Sequence, residues 1–184
     1  MESAVIVPVL QADGLLRPWR PRWQPAAPVG IPAHVTLAYP FLPADELGTA
    51  ALSGLSAVFG AQPPFSVSLG GVGRRPGIVY LEVDPAEQLV ALAAQVHAAF
   101  PASRSEWGGP ERPLVPHVTA LRSDDDEALD AAASALAVRL PLACRLAEVW
   151  LVQATGDTRA WLVGEGTGER WTLRMRFGLG LSRY

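Results

Sequence analysis

A chain of 184 residues, 49% of them hydrophobic and 18% charged, has enough apolar material for a sizeable core and too much for wholesale disorder. Its net charge of −3 leaves no electrostatic footprint for a long nucleic acid, while a small phosphate ester held in a local pocket stays compatible with it. All 15 basic residues are arginine, which excludes lysine Schiff bases, P-loops and covalent lysyl-nucleotide chemistry. A lone cysteine, Cys144 in an apolar run, excludes an internal disulfide and a cysteine metal cluster and reads as a small buried hydrophobe.

Val5 to Val9 reads as a first strand, with Pro8 pointing to an edge position or a bulge. Residues 11–30, with four prolines plus Trp19 and Trp23, read as a loop. Ala33 to Tyr39 is strand-like, and Asp45 to Phe59 spaces its apolar residues as a helix does. Phe65 to Leu69 alternates strictly; the turn-rich Gly70 to Gly77 then leads to the apolar Ile78 to Leu81, a hairpin. A second helix runs from Pro85 to about Phe100, and residues 101–116 form a Gly- and Pro-rich loop. His117 to Leu121 is a short strand, and Ser123 caps a third helix reaching about Val138. Three closing strands are expected, at Arg145 to Gln153, Arg159 to Val163 and Trp171 to Phe177, with turns at Gly156-Asp157 and Gly164 to Gly168. The N-terminus lacks a basic, long-apolar leader, and no apolar stretch is long enough to span a bilayer. A cytoplasmic, monomeric protein without a membrane partner is therefore expected.

The informative feature is a repeat. His34-Val35-Thr36 and His117-Val118-Thr119 lie 83 residues apart (117 − 34), each just after a proline, in a chain with only three histidines. Strand alternation puts each histidine and its threonine on one face and the apolar neighbours on the other. Two imidazoles and two hydroxyls facing one cleft suit phosphoester chemistry. A neutral imidazole accepts a proton, a protonated one donates to the leaving oxygen, and the hydroxyls hold the non-bridging oxygens. Each motif strand is followed by a helix and then by antiparallel strands, so we expect an α+β fold of two pseudo-equivalent lobes.

The two motifs, and above all Val29 to Phe41 (Val-Gly-Ile-Pro-Ala-His-Val-Thr-Leu-Ala-Tyr-Pro-Phe), resemble those of the 2H phosphoesterase superfamily. Within it the chain is most similar to the bacterial 2′-5′ RNA ligase-like branch, and Trp171 to Gly180 is similar to the closing strand there. The resemblance covers about residues 3–180. It implies one bilobal domain over residues 1–184, with antiparallel sheets, helices outside and a central groove. It also implies metal-independent opening of a 2′,3′-cyclic phosphate or action on 2′-5′-linked nucleotides or RNA ends. His34 and His117 become the catalytic acid and base, Thr36 and Thr119 the phosphate clamps, and no cofactor is implied.

The rival readings are a nucleotide-binding module with little turnover and a hydrolase of a non-nucleotide cyclic phosphate. A zinc site lacks a third ligand at the usual spacing, so no metal is expected. Trp107 is the candidate for a stacking lid before the second motif. Arg122 is the arginine candidate for bidentate phosphate contact, with Arg74 and Arg75 considered beside it. By simple alternation Tyr39 and Arg122 fall on the face away from the motifs. His97 lacks a threonine two residues on and reads as a boundary residue of the second helix.

Overall fold

The computed structural model describes residues 2–19, 31–103, 105, 108–109, 111–155 and 170–180, with Thr155 and Arg170 as backbone only. Among them, strands and helices follow in the order β1 (Ser3–Pro8), α1 (Leu10–Leu16), β2 (His34–Ala38), α2 (Thr49–Gly60), β3 (Phe65–Arg75) and β4 (Ile78–Asp84). Then come α3 (Glu87–Ala99), β5 (His117–Arg122), α4 (Asp126–Ala137), β6 (Leu142–Leu146), β7 (Glu148–Thr155) and β8 (Arg170–Gly178).

The strands form two four-stranded sheets, ordered β2-β1-β7-β8 and β5-β4-β3-β6, and every pairing is antiparallel. Each motif strand is an edge strand of its own sheet, and these two edges, β2 and β5, pack against each other. The α+β, two-lobed architecture with antiparallel sheets is therefore present. The lobes interleave in sequence, because β7 and β8 return to the sheet that β1 began.

The helices show why the chain folds this way. Each presents an apolar stripe at three- and four-residue spacing: Ala51, Leu55 and Phe59 on α2; Leu89, Leu92 and Val96 on α3; Leu129, Ala132 and Leu136 on α4. These stripes meet Val5, Leu37, Leu81, Leu121 and Leu151 from both sheets in one hydrophobic cluster. Burying each such leucine contributes about 1.5–3 kcal/mol. A second, smaller cluster of Ala4, Ile6, Ile31, Tyr39, Trp150, Val152, Ala154 and Trp171 covers the other face of the first sheet.

Several elements differ from the sequence expectation, each for a local reason. Leu10 to Leu16 is a helix, not loop: Ala12, Leu15 and Leu16 give it a buried face that is too short for a periodicity signal. Pro8 lies on an inner strand rather than an edge, at the last position of β1, where the ladder ends. Gly70, Gly71 and Gly73 belong to β3 rather than to a turn, and only Pro76-Gly77 turns, with Gly77 at φ 73. The stretch from Arg145 to Gln153 is two strands in two sheets, parted at Ala147. The third helix is capped by Asp125, whose carboxylate accepts from the Glu127 and Ala128 amides; Ser123 instead accepts from the Asp125 amide. The expected strand at 159–163, its flanking turns, Trp23 and Trp107 lie outside the described residues.

Candidate active site

The two motif strands are built alike, down to a shared irregularity. On β2, Ile6 pairs with Thr36 and Val5 with Ala38, leaving Leu37 as an extra residue. On β5, Tyr80 pairs with Thr119 and Val79 with Leu121, leaving Ala120 as the extra one. A bulge immediately after each threonine resets the alternation. Leu37 and Ala38 are both buried, at 0% and 3% exposure, as are Ala120 and Leu121 at 0% each. The residue after each buried pair consequently returns to the motif face. Tyr39 joins the cluster of Ile6, which stands opposite Thr36, and Arg122 falls in line with His117 and Thr119. Simple alternation expects both on the opposite face; the bulge overturns that.

Each histidine is oriented by its own backbone. His34 Nδ1 lies 2.8 Å from the Pro32 carbonyl oxygen, and His117 Nδ1 lies 2.9 Å from that of Val115, two residues back in both cases. A carbonyl only accepts, so each Nδ1 carries a proton, and in the neutral ring the basic lone pair lies on Nε2. Helix α1 supports the first motif: Asp13 accepts a 2.8 Å hydrogen bond from the Ala33 amide, and the Val9 amide donates to the Ala33 carbonyl at 2.7 Å. Buried Ser3 anchors the exit of β2, donating to the Leu42 carbonyl at 2.6 Å and accepting from the Leu42 amide at 3.1 Å.

The registers order the motif face of the second sheet into rows across β5, β4 and β3. His117, Glu82 and Gly71 form one, Thr119, Tyr80 and Gly73 the next, and Arg122, Ile78 and Arg75 the third. The glycines that read as a turn have a purpose here. A Cβ on Gly73 would stand 2.1 Å from Tyr80 Cζ, and one on Gly71 would stand 2.5 Å from Glu82 Oε2, so both neighbouring side chains lie down across bare backbone. Laid flat, the Tyr80 ring meets the His117 imidazole edge-on at 5.3 Å between centroids and 65° between planes. The Arg75 guanidinium sits 5.1 Å from the centroid of the same tyrosine ring. Sequence reasoning missed Tyr80; the small-residue pattern opposite it on β3 was the only available signal.

Burial is the main force pushing His117 below the ordinary imidazole value, with the positive charges of Arg75 and Arg122 adding to it and the Val115 hydrogen bond opposing. His117 is thus predominantly neutral at neutral pH and suited to accept a proton at Nε2. Arg122 is half-buried, and burial lowers it too. Arg74 faces elsewhere and is committed to Asp126 at 2.9 Å and Asp130 at 2.7 Å, which removes it from the phosphate candidates. Cys144 is buried and its thiol is raised by that burial, as expected of an inert packing residue. His97, in the last turn of α3, packs beneath Gly109. Among the described residues no three His, Cys, Asp or Glu side chains converge as a metal site, and no helix is long and apolar enough to cross a membrane.

Comparison with known proteins bears on the fold and the family. The structure superimposes on TT0787 of Thermus thermophilus with a TM-score of 0.67 at 20% identity, covering 98% of both chains. It also superimposes on Escherichia coli LigT in complex with 3′-AMP, with a TM-score of 0.61 at 21% identity and 97% of both chains covered. Candidate phosphoesterases from Bacillus thuringiensis and Bacillus cereus are 28% identical over 112 residues; the chain spans 59% of the length of these curated relatives. The model of the 2′-5′ RNA ligase superfamily matches residues 7–158, a span that includes both His-x-Thr motifs, and the chain belongs to that superfamily.

Proposed function

We propose that this protein is a metal-independent phosphodiesterase that opens 2′,3′-cyclic phosphates, or cleaves 2′-5′-linked nucleotides or RNA ends, by two-histidine acid/base catalysis. The observation that carries the reading is the matched pair of motif strands. Each has a half-buried histidine held as the Nδ1–H tautomer by a carbonyl two residues back, a threonine on the same face and a bulge directly after it.

The surroundings of His117 support its role as the base. His117, neutral at neutral pH, takes the proton from the attacking water through Nε2. His34, in the complementary role of acid, donates from its Nε2 to the leaving ribose oxygen, so the O–P bond breaks as water's oxygen bonds to phosphorus. The Thr36 and Thr119 hydroxyls and the Arg122 guanidinium hold the non-bridging oxygens, where negative charge concentrates in the transition state. LigT has been crystallised with 3′-AMP, NADP+ and ATP, and those complexes support a nucleotide as ligand here. We further propose that residues 1–184 act as a single, monomeric, cytoplasmic domain.

The test is hydrolysis of 2′,3′-cyclic nucleotides in EDTA by the wild type, His34→Ala and His117→Ala, with product affinity measured alongside. Turnover by the wild type, falling about 10²–10⁴-fold in each variant, supports the proposal. Tight nucleotide binding without product in any of the three places the protein as a binding module instead.

A further inference from the structure

The third row of the motif face holds two arginines for which no carboxylate partner stands among the described residues. Of the three arginines in this region Arg74 alone is committed to ion pairs, leaving exposed Arg75 and half-buried Arg122 together across Ile78. The one carboxylate in these rows, Glu82, stands in the far one, beyond Tyr80 and Gly73. Two like charges on one face, parted only by the strand β4, repel each other, and an anion between them removes that cost.

Arg75 is also positioned. A bare arginine at a strand end samples many rotamers, whereas this one rests against the Tyr80 ring, which itself lies flat on Gly73 and abuts His117. The stack holds a planar donor group in a set place relative to the reacting histidine. Adjacent rows on a strand are about 6.6–6.8 Å apart. An anion bound in the third row therefore lies one such step from a phosphate held by Thr119, within the reach of a neighbouring phosphate on the same nucleotide or chain.

We infer that Arg75, stacked on Tyr80, forms a second anion subsite beside the scissile phosphate, and that the preferred substrates carry another phosphate next to the one that reacts. The substrate class is then an oligonucleotide end or a nucleoside bisphosphate-like ester rather than a cyclic mononucleotide. This rests on the proposed place of the scissile phosphate between the two motifs, but not on turnover. The depression of His117 by the charge of Arg75 accords with it, since a bound second phosphate would offset that charge.

Calorimetric titration with adenosine 3′-monophosphate and adenosine 3′,5′-bisphosphate tests the subsite whether or not the protein turns anything over. The wild type should bind the bisphosphate about tenfold or more tightly at low salt, the worth of one charge-assisted contact. Arg75→Gln, at an exposed position, should erase that preference and leave the monophosphate affinity unchanged. Tyr80→Phe should keep the preference and Tyr80→Ala should lose it. Arg122→Gln should weaken both ligands. Equal affinities in the wild type, a uniform loss in Arg75→Gln, or no binding of either nucleotide overturns the subsite. Absent hydrolysis with the preference intact overturns only the phosphodiesterase reading.

Discussion

Gly73→Ala isolates the cradle beneath Tyr80. The position has no positive φ, so a methyl group there brings no backbone strain, and its whole effect is the 2.1 Å encounter with Tyr80 Cζ. The ring escapes by rotating away, and so leaves both His117, now 5.3 Å between centroids, and the Arg75 guanidinium, now 5.1 Å away. The edge-on aromatic contact contributes about 0.5–1.5 kcal/mol and the exposed cation–π contact about 0.5–1 kcal/mol, so the loss is about 1–2.5 kcal/mol. At roughly 2–4 °C per kcal/mol for a chain of this size, Tm should fall by about 2–10 °C. The assay is thermal unfolding of the wild type, Gly73→Ala, Tyr80→Ala and the double variant, read as a double-mutant cycle. With the ring gone the new methyl loses its three nearest encounters, all with Tyr80, so Gly73→Ala should cost little in the Tyr80→Ala background. An equal cost in both backgrounds would refute the reasoning and return Gly73 to an ordinary backbone role.

Other outcomes follow from particular contacts. Because His117 is held below its unfolded value, the unfolded chain binds the extra proton first as pH falls. Stability should therefore decline from about pH 6.5 downward and level off below the folded value, a slope that His117→Gln abolishes in denaturant titrations. Asp125→Ala removes the cap of α4 and should cost about 0.5–2 kcal/mol, seen as a lower urea midpoint with unchanged slope. Arg74→Ala, which opens a surface pair remote from the motif face, should leave turnover unchanged when assayed beside the wild type. Asp13→Asn weakens the anchor of the Ala33 amide just before His34, so it should lower kcat more than it raises KM in steady-state assays.

The motifs and most helices were legible because their signals are local. A His-x-Thr on an alternating strand and the leucine stripe of α3 need no partner to be recognised. What escaped depended on contacts between distant residues. The bulges after Thr36 and Thr119 exist only as mismatches between paired strands, and they carried Tyr39 and Arg122 to the motif face. Gly71 and Gly73 read as a turn because their purpose, making room for Glu82 and Tyr80, lies on another strand. Helix α1 is too short to announce itself, and its role is visible only where Asp13 meets the Ala33 amide.

The pH dependence of kcat/KM on a 2′,3′-cyclic nucleotide in EDTA reaches the central claim most directly. Two histidines acting as base and acid predict a bell with both limbs in the imidazole range, the acid limb lying below the ordinary value because His117 is depressed. A rate that is flat with pH, that follows a carboxylate limb, or that appears only when a divalent metal is restored would contradict it.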